Sequence, residues 1–481
     1  MNPTQVDPSR FRKADPEALR CLPARLQAAG LTEDSLRELL SIRDVPLIKP
    51  QEMPGYLWRC RKDNSPRALL ACLWLLGQWV PGAQASKIMG EDAVHAMVEA
   101  GLLADDEALV GARVDLYPCQ GTYLVTDCLL ARSYQEGHVY QLGTDSYALA
   151  RATPRKKVRR ALDLCTGSGI HAIMAARHAD EVVGVDLNPR AVDYARLNAR
   201  LNSVEERCRF EVADLYAPVQ GQLFDLITVN PPFVPTPDDT VLRHRTGGRS
   251  GEEISRRLVA GLPRHLEIGG TFAMVLDYPV MRRTSYLERL QRWLGQSKGW
   301  GIAVLSFGNV PIDVYIQQHV AFDGNLEAYH QAYTDYLRSY ERQGIVEIGF
   351  ANVYIRRLPA DRQGWAVERS MITPHTDVSA RVERWLDCLE RYRDPGQELD
   401  WDGWKPRLSE LVGNLWLDQG GGKAWVEYCD LHAFTPLSLE DRQATVARLC
   451  AGQRTAREVA AAVGDDADEQ LRFLAQAMVV E

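Results

Sequence analysis

The chain has 481 residues, more than one compact core accommodates, so two or three domains are expected. Its formal net charge of −8 argues against a protein that coats nucleic acid nonspecifically and leaves only a local basic face for such contacts. Ten cysteines without a CxxC pair exclude the usual structural zinc spacing, and no leader-like start or membrane-length apolar run is visible, so the expectation is a cytoplasmic protein with reduced thiols, no metal and no membrane partner.

Residues 1–135 read as a helical, winged-helix-like N-terminal domain. Asp15 before Pro16 caps a helix that runs toward Gly30, with Pro23 placed to kink or break it. Thr32 caps a second helix with Leu36, Leu39 and Leu40 on one face. Residues 68–76, 83–89 and 91–100 form three helices closed by Gly101. Alternating segments follow around 108–110, 114–117 and 122–126. Three helices and then a hairpin is winged-helix order, a module that serves dimerisation or substrate docking as often as DNA reading. Residues 91–100 contain no Lys or Arg, whereas a recognition helix needs cations near phosphates.

Residues 136–372 read as a doubly wound, Rossmann-like α/β domain. Strands are expected at 161–165, 182–186, 208–212, 224–229 and 271–277, alternating with helices at 169–178, 189–202, 251–266 and 281–295. The basic run at 155–160 leads into the first strand and reads as a solvated strand entry in preference to an RNA patch. Farther on, 302–306, 313–317 and 345–355 read as strands and 326–341 as an inserted helix. Residues 373–481 form a small, mostly helical, Trp-rich C-terminal domain, with a helix at 378–393 and short helices at 445–449, 455–463 and 468–479. Trp385, Trp401, Trp404, Trp416 and Trp425 are expected to pack, with a base-stacking surface as the alternative.

Three strand ends carry the chemistry. Asp163-x-x-x-Gly167-x-Gly169 lets the backbone turn tightly against a ligand, and the helix that follows offers free N–H groups. Asp186 lies 17 residues beyond Gly169, where an acid reaches ribose hydroxyls. The same pair would serve a dinucleotide, and Ala172 at the third fingerprint position does not decide the matter. Charge is more telling, because Asp163 would repel a pyrophosphate and suits a cationic ligand. Asp214 would suit an exocyclic adenine amine. The decisive stretch is Asn230-Pro-Pro-Phe233, a stiff loop after the fourth strand, since two prolines fix their own φ and keep Asn230 and Pro231 out of helix. It presents the Asn230 side-chain carbonyl and the Pro231 backbone carbonyl as acceptors. A planar NH2 bonded to both has its lone pair steered out of the conjugated plane, toward an electrophile, with Phe233 against its flat face. No His or Lys sits in that loop, which suits a reaction needing no strong base; His244 downstream reads as a surface histidine.

On these residues, the region from about 140 to 280 resembles the class I S-adenosylmethionine-dependent methyltransferases with an Asn-Pro-Pro-aromatic motif. That branch includes the glutamine-N5 methyltransferases of release factors and ribosomal proteins, and the N6-adenine and N2-guanine methyltransferases of RNA and DNA. Residues 186–191 with Asn198 and Asn202 are similar to the second-strand segment of that branch, and 247–251 and 266–270 to glycine-rich segments of the release-factor enzymes. The resemblance implies S-adenosylmethionine as cofactor, with Asp163, Gly167 and Gly169 around its methionine part, Asp186 at the ribose and Asp214 at the adenine. Thr166, Leu187, Leu215 and Asn230 complete the implied cofactor-binding set. Asn230 and Pro231 would hold the target nitrogen, with Pro232 and Phe233 completing the catalytic loop.

The expected function is N-methyl transfer to a planar nitrogen, a protein glutamine or an exocyclic base amine of RNA or DNA. The alternative is a small-molecule N-methyltransferase of specialised metabolism, and a third reading is a DNA-binding regulator that only senses the cofactor. The expected partner is a protein, RNA or small-molecule acceptor, and a homodimer stays open.

Overall fold

The computed structural model describes residues 6–128, 137–237, 246–295, 298–393, 399–417, 423–428, 434–464 and 466–481. At its centre is an eight-stranded sheet. In chain order its strands are β1 (Val158–Leu164), β2 (Ala179–Asp186), β3 (Cys208–Val212), β4 (Phe224–Val229), β5 (Leu266–Met281), β6 (Trp300–Pro311), β7 (Ile345–Arg357) and β8 (Trp365–Ser370). Their spatial order is 8-6-7-5-4-1-2-3. Strands β1 to β5 are parallel, β7 runs antiparallel between β5 and β6, and β8 lies parallel to β6 at the edge. Apolar residues run almost unbroken along the central strands because both faces are covered. The order reverses between β1 and β4, where Leu164 pairs with Val229. The loops after these two strands therefore leave the sheet side by side, the place where open α/β sheets bind ligands.

The helices of this layer are α1 (Thr144–Ala152), α2 (Ile170–Ala175), α3 (Pro189–Leu201), α4 (Glu253–His265), α5 (Tyr286–Leu294), α6 (Ile312–His319) and α7 (Leu326–Gln343). Local chemistry sets their ends. The Asn188 side chain accepts from the Arg190 N–H with Pro189 at the first position of α3, and Ser285 and Glu288 form a capping box on α5. Gly344, at φ +74°, closes α7.

One sequence expectation fails here. Residues 313–317 are helical, within α6, and are not a strand. Over five residues the pattern Asp-Val-Tyr-Ile-Gln fits either period. Packing decides: Tyr315 and Ile316 are fully buried while Val314 is exposed, a helical arrangement in which Val314 and Ile316 no longer share a face.

In the N-terminal part, helix Pro16–Ala28 is capped by Asp15 and continues through Pro23. The proline removes one donor to the Leu19 carbonyl, and burial of Leu19, Leu22 and Leu26 offsets that loss. Helices Pro66–Trp74, Gly82–Met89 and Glu91–Glu99 combine with strands Val80–Pro81, Leu103–Asp106 and Leu109–Ala112 in a winged-helix arrangement. Helix Glu91–Glu99 packs against Pro16–Ala28, where Arg25 donates to the Met89 carbonyl and to Asp92, both at 2.7 Å. A second hairpin, Val114–Cys119 with Thr122–Asp127, lies on α3. Asn198 of α3 donates to the Val125 carbonyl (2.9 Å) and accepts from its N–H (2.8 Å). Asn202 treats Tyr123 the same way, at 2.7 and 3.0 Å. Two asparagines one helical turn apart thus satisfy backbone groups as a neighbouring strand would.

The C-terminal part holds helix Ser379–Tyr392, an antiparallel sheet of Val412–Leu417, Lys423–Tyr428 and Leu437–Glu440, and helices Asp441–Leu449, Ala456–Val463 and Ala467–Gln476. The sequence predicts only helices in this part, and the three-stranded sheet adds to them. Trp385 is buried against Phe434, and Trp404 stacks on Tyr392. Trp416 and Trp425 are paired across two strands and stay exposed. Lys156 of the basic run pairs with Glu383 and Asp387 at the amino end of β1, away from the ligand-binding end of the sheet. Among the described residues, no helix is long and apolar enough to cross a membrane.

Candidate active site

A cavity of ≈ 1140 Å³ opens at the carboxyl ends of the parallel strands. Thr166, Gly167, Asp186, Leu187, Asp214, Leu215 and all four residues of the Asn230–Phe233 loop line it, so the glycine turn and the proline loop face one space. Gly167 sits at φ +53°, and a Cβ there would point into open room. Two non-glycine residues on the wall, Cys165 (φ +55°) and Leu215 (φ +48°), hold left-handed backbone, a local strain that concentrates at functional sites.

Two expected cofactor residues, Asp163 and Gly169, do not line the cavity. Asp163 is buried beneath the turn and accepts from Thr166 Oγ1 (2.5 Å), Thr228 Oγ1 (2.8 Å) and the Ala172 N–H (3.1 Å). It ties β1, β4 and α2 together, and burial pushes its carboxyl up to about 7. Gly169 sits where a Cβ would come 3.0 Å from that of Ala195, so it permits α2 to pack on α3. The acids on the cavity wall are instead Asp145, Asp186, Asp214 and Asp277.

Asp186 accepts the Gly167 and Asn188 N–H groups, both at 2.8 Å, and burial raises its pKa. Each oxygen keeps a lone pair for a further donor. Asp214 stands at the rim with Arg257 at 2.6 Å, both about half exposed. Arg190 also reaches the wall, but its guanidinium donates to Asp127 (2.8 Å) and to the Gly137 carbonyl (3.1 Å). Asp145 and Asp186 are held by N–H donors, and the charge that their carboxylates bring to the cavity is negative.

The Asn230 amide is oriented by residues that no sequence motif marked. Its Nδ2 donates to Asp145 Oδ2 (2.9 Å) and Ser146 Oγ (3.2 Å), at the start of α1. An ionised carboxylate only accepts, so Asp145 draws the NH2 end of the amide toward itself and leaves Oδ1 for another donor. Burial raises the pKa of Asp145. At the far end of α1, Arg151 donates to Asp44 (2.6 Å), to the Pro374 carbonyl (3.0 Å) and to Glu33, which fixes the helix to both flanking parts of the chain.

The segment 247–251 braces the proline loop from behind. The Gly247 N–H donates to the Val234 carbonyl (3.0 Å). A Cβ on Gly247 would lie 2.8 Å from the Phe233 Cα, and one on Gly251 (φ +77°) 2.5 Å from the Phe233 carbonyl oxygen. Past Phe233 the wall continues with Asp277, Gln318, His319 and Phe350. Tyr315 donates its hydroxyl to Asp277 (2.8 Å), and His319 Nδ1 donates to the Tyr315 carbonyl (2.8 Å). None of these residues was singled out in the sequence, because their elements enter the site through packing alone. His244 lies outside the described residues.

Residues 140–299 match the family model for the methyltransferase small domain. A putative protein N5-glutamine methyltransferase of Methanocaldococcus jannaschii is 37% identical over 138 residues, covering 27% of this chain and 68% of that protein. The chain belongs to the class I S-adenosylmethionine-dependent methyltransferases. A ribosomal protein uL3 glutamine methyltransferase of Bradyrhizobium diazoefficiens is 36% identical over 24% of this chain and 39% of its own length. A release factor glutamine methyltransferase of Thermodesulfovibrio yellowstonii is 33% identical over 22% of this chain and 42% of its own. The chain thus spans about two thirds of the first of these relatives and well under half of the other two.

The donor of this family is S-adenosylmethionine, and the cavity suits it. An acid-bearing wall favours a ligand with sulfonium and ammonium charges and disfavours a pyrophosphate. Leu187, Ala213 and Leu215 supply apolar surface beside Asp214, and the open room at Gly167 lets a ligand approach the backbone.

Proposed function

We propose that this protein is an N-methyltransferase whose acceptor is the side-chain amide of a protein glutamine. The observation that supports a planar NH2 acceptor is the Asp145–Asn230 hydrogen bond, which engages the Asn230 NH2 and leaves its Oδ1 to accept from another donor. Asp186 would hold the ribose hydroxyls, Asp214 the adenine amine, and Thr166 and Gly167 the methionine end. When bound, S-adenosylmethionine supplies a methyl group already activated on sulfonium.

The chain's own residues then have to place the acceptor. Asn230 Oδ1 and the Pro231 carbonyl accept the two hydrogens of a planar NH2 and turn its lone pair out of the amide plane. Pro231 and Pro232 keep these two acceptors rigid, and Phe233 offers its ring to the flat face of the amide. Positioning and electrostatics of this kind supply most of the acceleration. The new C–N bond forms as the S–C bond breaks. The methylated nitrogen is acidic and gives its proton to water, so no side-chain base is needed.

The glutamine assignment draws on the three relatives, each of which is named for glutamine methylation. A purified sample with labelled donor should label protein in a cell lysate, and hydrolysis of that protein should release N5-methylglutamine. Label confined to RNA or to small molecules would refute the assignment.

A further inference from the structure

The α6–α7 hairpin is inserted between β6 and β7; the end of α6 lines the cavity through Gln318 and His319, and α7 extends beyond it. Tyr329, Tyr333, Tyr336 and Tyr340 recur at helical spacing on α7. Tyr340 is fully buried and donates to the Pro235 carbonyl (2.9 Å), just past the catalytic loop. Tyr333 and Tyr336 are half-buried in the apolar cluster that also holds Phe233 and Phe350, and both of those phenylalanines line the cavity. Tyr329 follows Tyr333 (ring centroids 6.2 Å apart) and meets Phe322 edge-on (5.9 Å). The row ends on Phe322 and Leu326, exposed by 62% and 58%. An apolar track thus leads from the cavity wall to solvent.

Two features select its occupant. An exposed apolar row continuous with a binding cavity is the mark of a contact surface, and tyrosine is enriched in protein interfaces. The hairpin also carries five acids (Asp313, Asp323, Glu327, Asp335, Glu341) against two arginines (Arg338, Arg342). That balance repels a phosphate backbone.

We infer that the α6–α7 hairpin is a docking arm for a protein acceptor, gripping an apolar side chain that is flanked by Lys or Arg near the glutamine to be methylated. The inference rests on the proposed function and names the recognition surface of that same site.

The test uses the full chain, labelled S-adenosylmethionine and RNase-treated soluble protein from the source cells, with total RNA as a parallel acceptor. At limiting protein acceptor, F322S/L326S/Y329A should reduce incorporation about tenfold and recover at high acceptor concentration. Its affinity for S-adenosylhomocysteine, read by calorimetry, should match the wild type. E327K/D335K should reduce incorporation about threefold, and added salt should weaken the wild type in the same direction. W58S, at an exposed tryptophan of the N-terminal helix Met53–Asp63, should behave as the wild type. Wild-type incorporation by F322S/L326S/Y329A, or an equal loss in W58S, overturns the docking arm while leaving the proposed function in place. If the wild type labels RNA alone or neither acceptor, the glutamine reading fails and the arm fails with it.

Discussion

Asp145→Asn isolates the orienting contact from everything else in the site. In the wild type a carboxylate holds the Asn230 NH2 at 2.9 Å, and it can do so in only one sense. Asparagine at 145 can present either end of its amide. Where it presents NH2, Asn230 turns its Oδ1 toward it and aims NH2 at the acceptor, donor against donor. A hydrogen bond to a charged group contributes about 1.5–3 kcal/mol, so losing the preference should lower kcat about ten- to a hundredfold. Stability should move the other way. Burial raises the folded-state pKa of Asp145, so the stability linked to its protonated form is lost as pH rises through that raised pKa. Asparagine removes this penalty, and Tm at pH 8 should be equal to or above the wild type. The assays are turnover with labelled donor, calorimetry with S-adenosylhomocysteine and a thermal scan. The wild-type kcat should rise with pH through the elevated Asp145 pKa, and that limb should vanish in the variant. Wild-type kcat in the variant would refute the orienting role. So would a fall in kcat accompanied by equal losses of Tm and cofactor affinity.

Asn230→Ala should lower transfer about a hundredfold or more while affinity for S-adenosylhomocysteine stays within a few-fold, as separate turnover and binding measurements will read. Asp163→Asn tests the buried anchor: burial raises the Asp163 pKa from 3.8 to about 7, so its stabilising contribution fades as pH rises across that window. The variant's Tm relative to the wild type should therefore rise between those two values and level off above them. Gly251→Ala puts a Cβ 2.5 Å from the Phe233 carbonyl at a left-handed backbone position, which should cost about 1–3 kcal/mol of stability and lower kcat by displacing the proline loop, measured by denaturant unfolding and turnover.

Sequence alone determined the parts that local chemistry specifies. Apolar runs of strand length, the glycine turn after β1, the acid ending β2 and the two prolines after β4 each depend on near neighbours, and near neighbours are what a sequence displays. The helix caps at Asp15 and Thr32 belong to the same class. Tertiary structure decided which groups those parts meet. The partner of Asn230 lies 85 residues upstream. Nothing in Asp-Ser at the start of a helix announces that it will orient an amide across the cavity. Asp163 has the residue type and spacing of a ligand-facing acid, yet three donors from β4, α2 and its own turn draw it inward, and other carboxylates face the cavity. Residues 313–317 satisfied two periodicities until packing against β7 and α7 chose the helix. Spacing encodes which way a segment folds, but hydrogen-bond partners across a site are chosen by three-dimensional proximity, which short-range pattern does not contain.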